Sequence, residues 1–283
     1  MALTPAQIKG RIKNIAMKNN ADARVLLRLY MMERFLERIA NSKYRDNFVI
    51  KGGILVTSMV GVSMRSTMDI DASLKNETLS MESAKAIIND ITLIDMGDNV
   101  AFRIVDISNI MDEMEYPGIR FSIVATLDGL QSPLKIDIST GDVITPRAIE
   151  YEYELMLENR KIKLWTYNLE TVLGEKLQTI MARGVLNTRM RDFYDVHILL
   201  STFRNKIDYG FLFAAFSATC KKRVTEGLIA DMPKIIETVQ KDKTLAERWE
   251  LYKTKYSYAA EISFEAACES ITELSNKLKE SKG

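Results

Sequence analysis

Near residue 167 the hydrophobic period of this sequence changes, and that change limits the folds open to the chain. Between residues 47 and 167 apolar residues recur at every second position, or in short runs ended by glycine or proline, as strands require. Ile119, Phe121, Ile123, Ala125 and Leu127 face one way, and Arg120, Ser122 and Thr126 the other. Residues 134–138 alternate again after Pro133, and 48–50 and 68–72 are shorter strand candidates. Residues 151–155 and 162–166 predict a hairpin around Glu158-Asn159. A helix over 80–92 interrupts the strands. From residue 168 the spacing becomes helical, with Leu169, Leu173, Leu177, Ile180 and Met181 on one stripe and Phe193, Val196, Leu199 and Leu200 on another. Only five glycines and one proline follow residue 168. The expectation is an α+β chain: a sheet-bearing domain over 1–167 and a helical domain over 168–283.

Two helices precede the strands. Thr4-Pro5-Ala6-Gln7 carries a capping-box pattern with proline at the first helical position. A second helix starts near Asp22, with Leu26, Leu29, Met32, Phe35, Leu36 and Ile39 as its apolar stripe. Arg24, Arg28, Arg34, Arg38 and Lys43 lie mostly off that stripe. They read as a solvated face, with a phosphate-contacting strip as the alternative.

Composition excludes several function classes. Lys and Arg total 39 against 38 Asp and Glu, a net charge of +1, so any nucleic-acid contact must come from a local patch. Two cysteines, Cys220 and Cys268, form no metal or disulfide framework, and the single histidine, His197, excludes His-rich zinc sites. His197 and both cysteines read as packed residues, and Trp165 and Trp249 as core or interface anchors. No run of 18 apolar residues is present, and residues 1–5 show no secretion signal. These features point to a cytoplasmic protein.

The informative segment is Lys51-Gly52-Gly53-Ile54-Leu55, followed by Arg65-Ser66-Thr67-Met68-Asp69-Ile70-Asp71. Strand side chains alternate, so Asp69 and Asp71 project together while Ile70 enters the core. Adjacent carboxylates raise one another's pKa unless a cation lies between them, and Mg²⁺ accepts carboxylate and phosphate oxygens together. Paired glycines at a helix start let backbone N–H groups approach a phosphate. A third carboxylate, Asp137, lies between Ile136 and Ile138. If its strand pairs beside 68–72, three aspartates converge on one face.

Gly-Gly, then Arg-Ser-Thr-x-Asp-Ile-Asp, then a later strand aspartate, resembles the nucleotidyltransferase superfamily with a polymerase-β-like palm. With Glu175-Lys176-Leu177 and Arg191-Asp192-Phe193-Tyr194-Asp195-Val196 the set resembles the AbiEii/AbiGii toxins of AbiE-type toxin–antitoxin and phage-resistance systems, over roughly residues 48 to 200. The resemblance implies a palm, a mixed sheet with flanking helices, followed by a helical C-terminal domain. It implies that Asp69, Asp71 and Asp137 hold Mg²⁺, with Asp137 also assisting deprotonation of an acceptor hydroxyl. It implies that Lys176 meets the triphosphate, that Asp192 and Asp195 orient Lys176 or contact the nucleotide, and that Gly52, Gly53, Arg65, Ser66 and Thr67 lie along the phosphates. Arg65 reads equally as the partner of a carboxylate. One departure is Ile54, where such enzymes often place Ser or Thr after the glycine; Ser66, Thr67 and Thr57 are the candidate replacements.

The implied activity is Mg²⁺-dependent transfer of a nucleoside monophosphate from a nucleoside triphosphate to an acceptor hydroxyl. The preferred acceptor is the tRNA 3′ end, contacted by the N-terminal basic residues and Lys221-Lys222-Arg223. The resemblance also implies a genetically linked AbiEi-type antitoxin that need not touch the toxin. Transfer to a protein or small molecule, and a non-catalytic nucleotide-binding module, are the alternatives.

Overall fold

A computed structural model describes residues 3–19, 21–75, 80–110 and 118–281. The chain divides into two compact units, Met1–Asp142 with Ile149–Thr166, and Val143–Ala148 with Tyr167–Gly283.

The first unit opens with α1 (Pro5–Asn19) and α2 (Ala23–Ala40). Thr4 and Gln7 exchange the reciprocal capping bonds that the sequence predicts, and Asp22 caps α2 through the Arg24 N–H. There follow β1 (Phe48–Lys51), α3 (Gly52–Val60), β2 (Asp69–Leu74), α4 (Met81–Thr92), β3 (Val100–Ile110), β4 (Gly118–Leu127), β5 (Leu130–Thr140), β6 (Ile149–Glu154) and β7 (Lys161–Thr166). They form one mixed seven-stranded sheet of order β3-β4-β5-β2-β1-β7-β6. β2 runs parallel to β5 and antiparallel to β1. One sheet face is apolar: Ile50, Ile70, Ile136, Ile138, Phe121 and Ile123 are buried in a core that also holds Leu29, Phe35, Leu36 and Ile39 of α2 and Ile88 and Ile91 of α4. The opposite face of β2 and β5 carries the acidic residues.

Three features depart from the sequence reading. β3 is a full edge strand where no strand was expected. A register shift between Ile104 and Asp106 breaks its alternation, so Phe102, Ile104 and Ile107 lose the period-2 signature. β5 runs through Pro133 instead of starting after it. β2 pairs only from Lys135 onward, so Pro133 has a neighbour only in β4 and its missing N–H breaks no ladder.

The third departure concerns Arg34 and Arg38, which are neither solvated nor free for phosphate: each is 2% exposed. Arg38 grips Asp98 bidentately at 2.8 and 2.9 Å and donates to Val100 O. Arg34 pairs with Glu158 at 2.6 Å and Glu37 at 3.0 Å, and Arg160 joins the same acidic pair. Buried charges require such partners, and a helix's off-stripe positions are buried when a hairpin covers them. Arg24 and Lys43 are exposed, as expected.

The second unit is helical: α5 (Leu169–Arg183), α6 (Met190–Phe203), α7 (Tyr209–Lys222), α8 (Leu228–Lys241), α9 (Lys243–Lys255) and α10 (Phe264–Glu280). Asn168 caps α5 through the Thr171 N–H and ties it to Thr145 O and Arg147 O of the 143–148 segment. Trp249 is fully buried against Phe264 and Tyr252. Among the described residues no helix is long and apolar enough to cross a membrane.

Candidate nucleotide site

Strand register builds the candidate site. Lys51 pairs with Asp71, Asp71 with Asp137, and Asp137 with Arg120, a single row across β1, β2, β5 and β4. Residues in register share a face, so two carboxylates lie between two cations. Asp69 stands two residues before Asp71 and joins them. Asp137 is therefore on the same face as the Asp-x-Asp pair, in the strand beside it, while Ile70, Ile136 and Ile138 are fully buried on the other face.

The three carboxylates differ in what surrounds them. Among the described residues no hydrogen bond or ion pair reaches the Asp69 carboxylate. Asp71 Oδ2 accepts only a long bond from the Gly53 N–H, 3.4 Å. Asp137 accepts from Arg120 through both oxygens, Nε to Oδ1 at 2.8 Å and Nη2 to Oδ2 at 2.6 Å. Burial pushes the Asp71 carboxyl above the usual carboxylate range; Lys51 opposes this, and Asp137 and Asp69 add to it. The Lys51 ammonium itself bonds Asp142 at 2.7 Å and Ser139 at 2.9 Å, holding Asp142 low.

The Gly-Gly bend fits against this face. Gly52 has φ +62°, where a Cβ would lie 2.0 Å from Asp71 Oδ2. A Cβ on Gly53 would lie 2.5 Å from Thr67 Oγ1 and 2.6 Å from Arg65 Nη1. Only glycine permits α3 to begin this close to Asp71. Arg65 is 1% exposed, and its Nη1 donates to Gly53 O at 2.8 Å and Ser66 O at 3.2 Å. It braces the bend from inside. Of the three candidate hydroxyls, Thr57 donates to Gly53 O and Thr67 to Asp69 O. Half-buried Ser66 keeps its hydroxyl uncommitted among the described residues.

Two residues of this face were not singled out from sequence, Lys51 and Arg120. Lys51 directly precedes Gly52, and Arg120 lies on the polar side of the β4 alternation, but only the register brings them beside the aspartates.

The donor set accommodates a divalent cation at Asp69 and Asp71. They are two hard oxygen donors on one face, one of them destabilised as an anion by burial, beside a bend free of side chains. Among the described residues no group of three or more His, Cys, Asp or Glu is placed to hold a metal ion.

The second unit has its own charged centre. Lys176 on α5 lies between Asp192 and Asp195 of α6, 2.9 and 2.6 Å away, with side-chain exposures of 12, 5 and 0%. Three residues apart on one helix, the two aspartates share a face. Arg189 adds a contact to Asp192 at 3.0 Å. Arg191 donates to the Tyr256 hydroxyl. Arg223 is bound to Gln178 and Thr179 of α5, so of the Lys221-Lys222-Arg223 run its guanidinium braces two helices. His197 bonds Ser270 and is pushed down by burial, and burial raises Cys220 to about 11 and Cys268 to about 12, which leaves both thiols inert.

Residues 34–270 match the model of a family described as nucleotidyl transferase AbiEii toxin, type IV toxin–antitoxin system. No curated protein matches the sequence. Among solved structures, a proposed nucleotidyltransferase from Helicobacter pylori is similar at a TM-score of 0.54 and 13% identity, over 92% of this chain and 97% of that one. The Helicobacter pylori protein JHP933 is similar at the same TM-score and identity, over 92% of this chain and 94% of that one. At this identity the likeness is one of fold.

Proposed function

This chain belongs to the AbiEii nucleotidyl transferase toxin family of type IV toxin–antitoxin systems, and from that premise we propose that it is a Mg²⁺-dependent nucleotidyltransferase acting on RNA, with the tRNA 3′ end as acceptor. The acceptor hydroxyl oxygen attacks the α-phosphorus of a nucleoside triphosphate in line. The bond to the β-phosphate oxygen breaks, pyrophosphate departs, and the hydroxyl proton is lost to solvent or a carboxylate. Asp69 and Asp71 would hold the cation, with Asp137 beside them. A Mg²⁺ ion bound there would lower the acceptor pKa and offset charge on the attacking and leaving oxygens. Gly52 and Gly53 present the N-terminus of α3 to phosphate, and Ser66 offers a hydroxyl.

The observation that carries this reading is the Asp69–Asp71 pair, open on one face and packed against a bend that admits no Cβ. Transfer to a protein or small molecule is the second reading. It is favoured by the near-neutral net charge and by Arg34, Arg38 and Arg223 being internal braces. Purified protein incubated with each labelled triphosphate and separated RNA, protein and small-molecule fractions distinguishes them. Label in RNA, abolished by Asp69→Ala or Asp71→Ala in folded protein, is expected. Label in protein alone defeats the RNA acceptor. The family carries an antitoxin partner, and co-expression of a linked AbiEi-type antitoxin is expected to relieve growth inhibition without requiring a stable complex.

A further inference from the structure

Asp137 differs from its two neighbours in a way that bears on how many cations the site takes. Its two oxygens both accept from Arg120, at 2.8 and 2.6 Å, in the fork geometry that matches a carboxylate best. Among the described residues no cationic side chain forms an ion pair with Asp69 or Asp71. The other cation of the row, Lys51, is paired with Asp142 at 2.7 Å. We propose that Arg120 is a positioning residue that occupies, as a fixed cation, the place at Asp137 where a second metal would bind, so that the site takes one divalent cation, on Asp69 and Asp71. The proposal rests on the metal-dependent reading above and narrows it.

The geometry favours Arg120 over a mobile ion for two reasons. Arg120 and Asp137 are in register on adjacent antiparallel strands, so their backbones bring the two side chains together before any ligand arrives. A second ion at Asp137 would have to displace a bidentate pair and leave a guanidinium without its partner. The Arg120 side chain is only 38% exposed and that of Asp137 19%, so water compensates that loss incompletely.

The test is Mn²⁺ binding, read without turnover. Full-length protein is titrated with Mn²⁺ and one equivalent of the α,β-methylene analogue of each of the four triphosphates in turn. Bound ions are counted, and electron paramagnetic resonance reports whether they form a coupled pair, which two ions about 3.5–4 Å apart would show. Wild type is expected to bind one Mn²⁺ per chain with no coupled pair. Arg120→Gln is expected to bind two, with the coupled signal. Asp69→Asn is expected to lose the ion, and Asp137→Asn to keep one, at an affinity within about threefold of wild type. A coupled pair in wild type, a single ion in folded Arg120→Gln, or loss of the ion in Asp137→Asn each overturns the Arg120 assignment and leaves the metal reading standing. No bound ion with any analogue overturns the metal reading itself. Should Arg120→Gln fail to fold, the wild-type count and the Asp137→Asn affinity still decide the matter.

Discussion

Replacing Gly52 by alanine tests the link between the bend and the acidic face. At φ +62° a residue with a Cβ bears a backbone cost of about 1–2 kcal/mol. The new methyl would start 2.0 Å from Asp71 Oδ2, inside the 3.0 Å that real Cβ atoms keep, so the carboxylate must retreat by about 1 Å or α3 must shift. Overpacking of that kind adds about 1–3 kcal/mol. The total, about 2–5 kcal/mol, corresponds to a fall in melting temperature of roughly 5–15 °C for a unit of this size. A displacement of 1 Å at the reacting groups costs about a hundredfold in rate. Gly129 supplies the control: its φ is +76°, yet nothing lies within 4 Å of its would-be Cβ. Gly129→Ala is therefore expected to lose only the backbone part, about 1–2 kcal/mol, with transfer unchanged. Thermal unfolding by circular dichroism and labelled-nucleotide transfer measure both. A Gly52→Ala protein that melts with wild type, or one that matches Gly129→Ala in activity, refutes the argument that this glycine exists to seat α3 against Asp71.

Lys176→Ala removes the cation that buried Asp192 and Asp195 share, with Arg189 remaining on Asp192, so urea unfolding should register a loss of about 3 kcal/mol. An unchanged midpoint would mean the trio is not a buried charge centre, and the loss of stability must be separated from any loss of toxicity. Glu33, buried and bonded by the Met156 N–H, is pushed up to about 8, chiefly by burial. Its folded pKa lies above its unfolded one, so the folded state holds the extra proton, and its contribution to stability falls as pH rises from about 4.5 to about 8. Glu33→Gln should therefore flatten the pH dependence of the urea midpoint across that window; parallel profiles would contradict the assignment. Arg34→Ala, which leaves Glu37 and Glu158 short of a partner, should lower the melting temperature without altering RNA affinity, and a filter-binding assay that shows weakened RNA binding in folded protein would restore the phosphate-contacting reading.

The parts of this fold that show in the sequence are those where one local rule acts alone. The capping pattern at Thr4 starts α1, α2 starts after Asp22, and the clean alternation at 119–127 becomes β4. Asp69, Ile70 and Asp71 announce a strand with a core side and a polar side. The edge strand β3 was hidden because its bulge breaks the period on which strand recognition depends. Arg34 and Arg38 looked like surface residues because helical spacing identifies the apolar stripe, not what a distant hairpin lays over the remaining face. Arg120 and Lys51 were missed for a related reason: which residue stands opposite Asp137 or Asp71 is a property of strand register, and register is set by pairings 17 to 20 residues apart. Arg65 carries the charge expected of a phosphate ligand but is turned inward by the carbonyl of Gly53.

The central claim, that the Asp69–Asp71 face transfers a nucleotide, is tested most directly by following both ends of the triphosphate. Purified wild type is given each nucleoside triphosphate labelled in parallel at the α- or the γ-phosphate, with total RNA as acceptor. The account predicts α-label joined to RNA, γ-label released as pyrophosphate, and neither in folded Asp69→Asn. The claim is contradicted by γ-label on the acceptor, or by equal transfer from the Asp69→Asn protein.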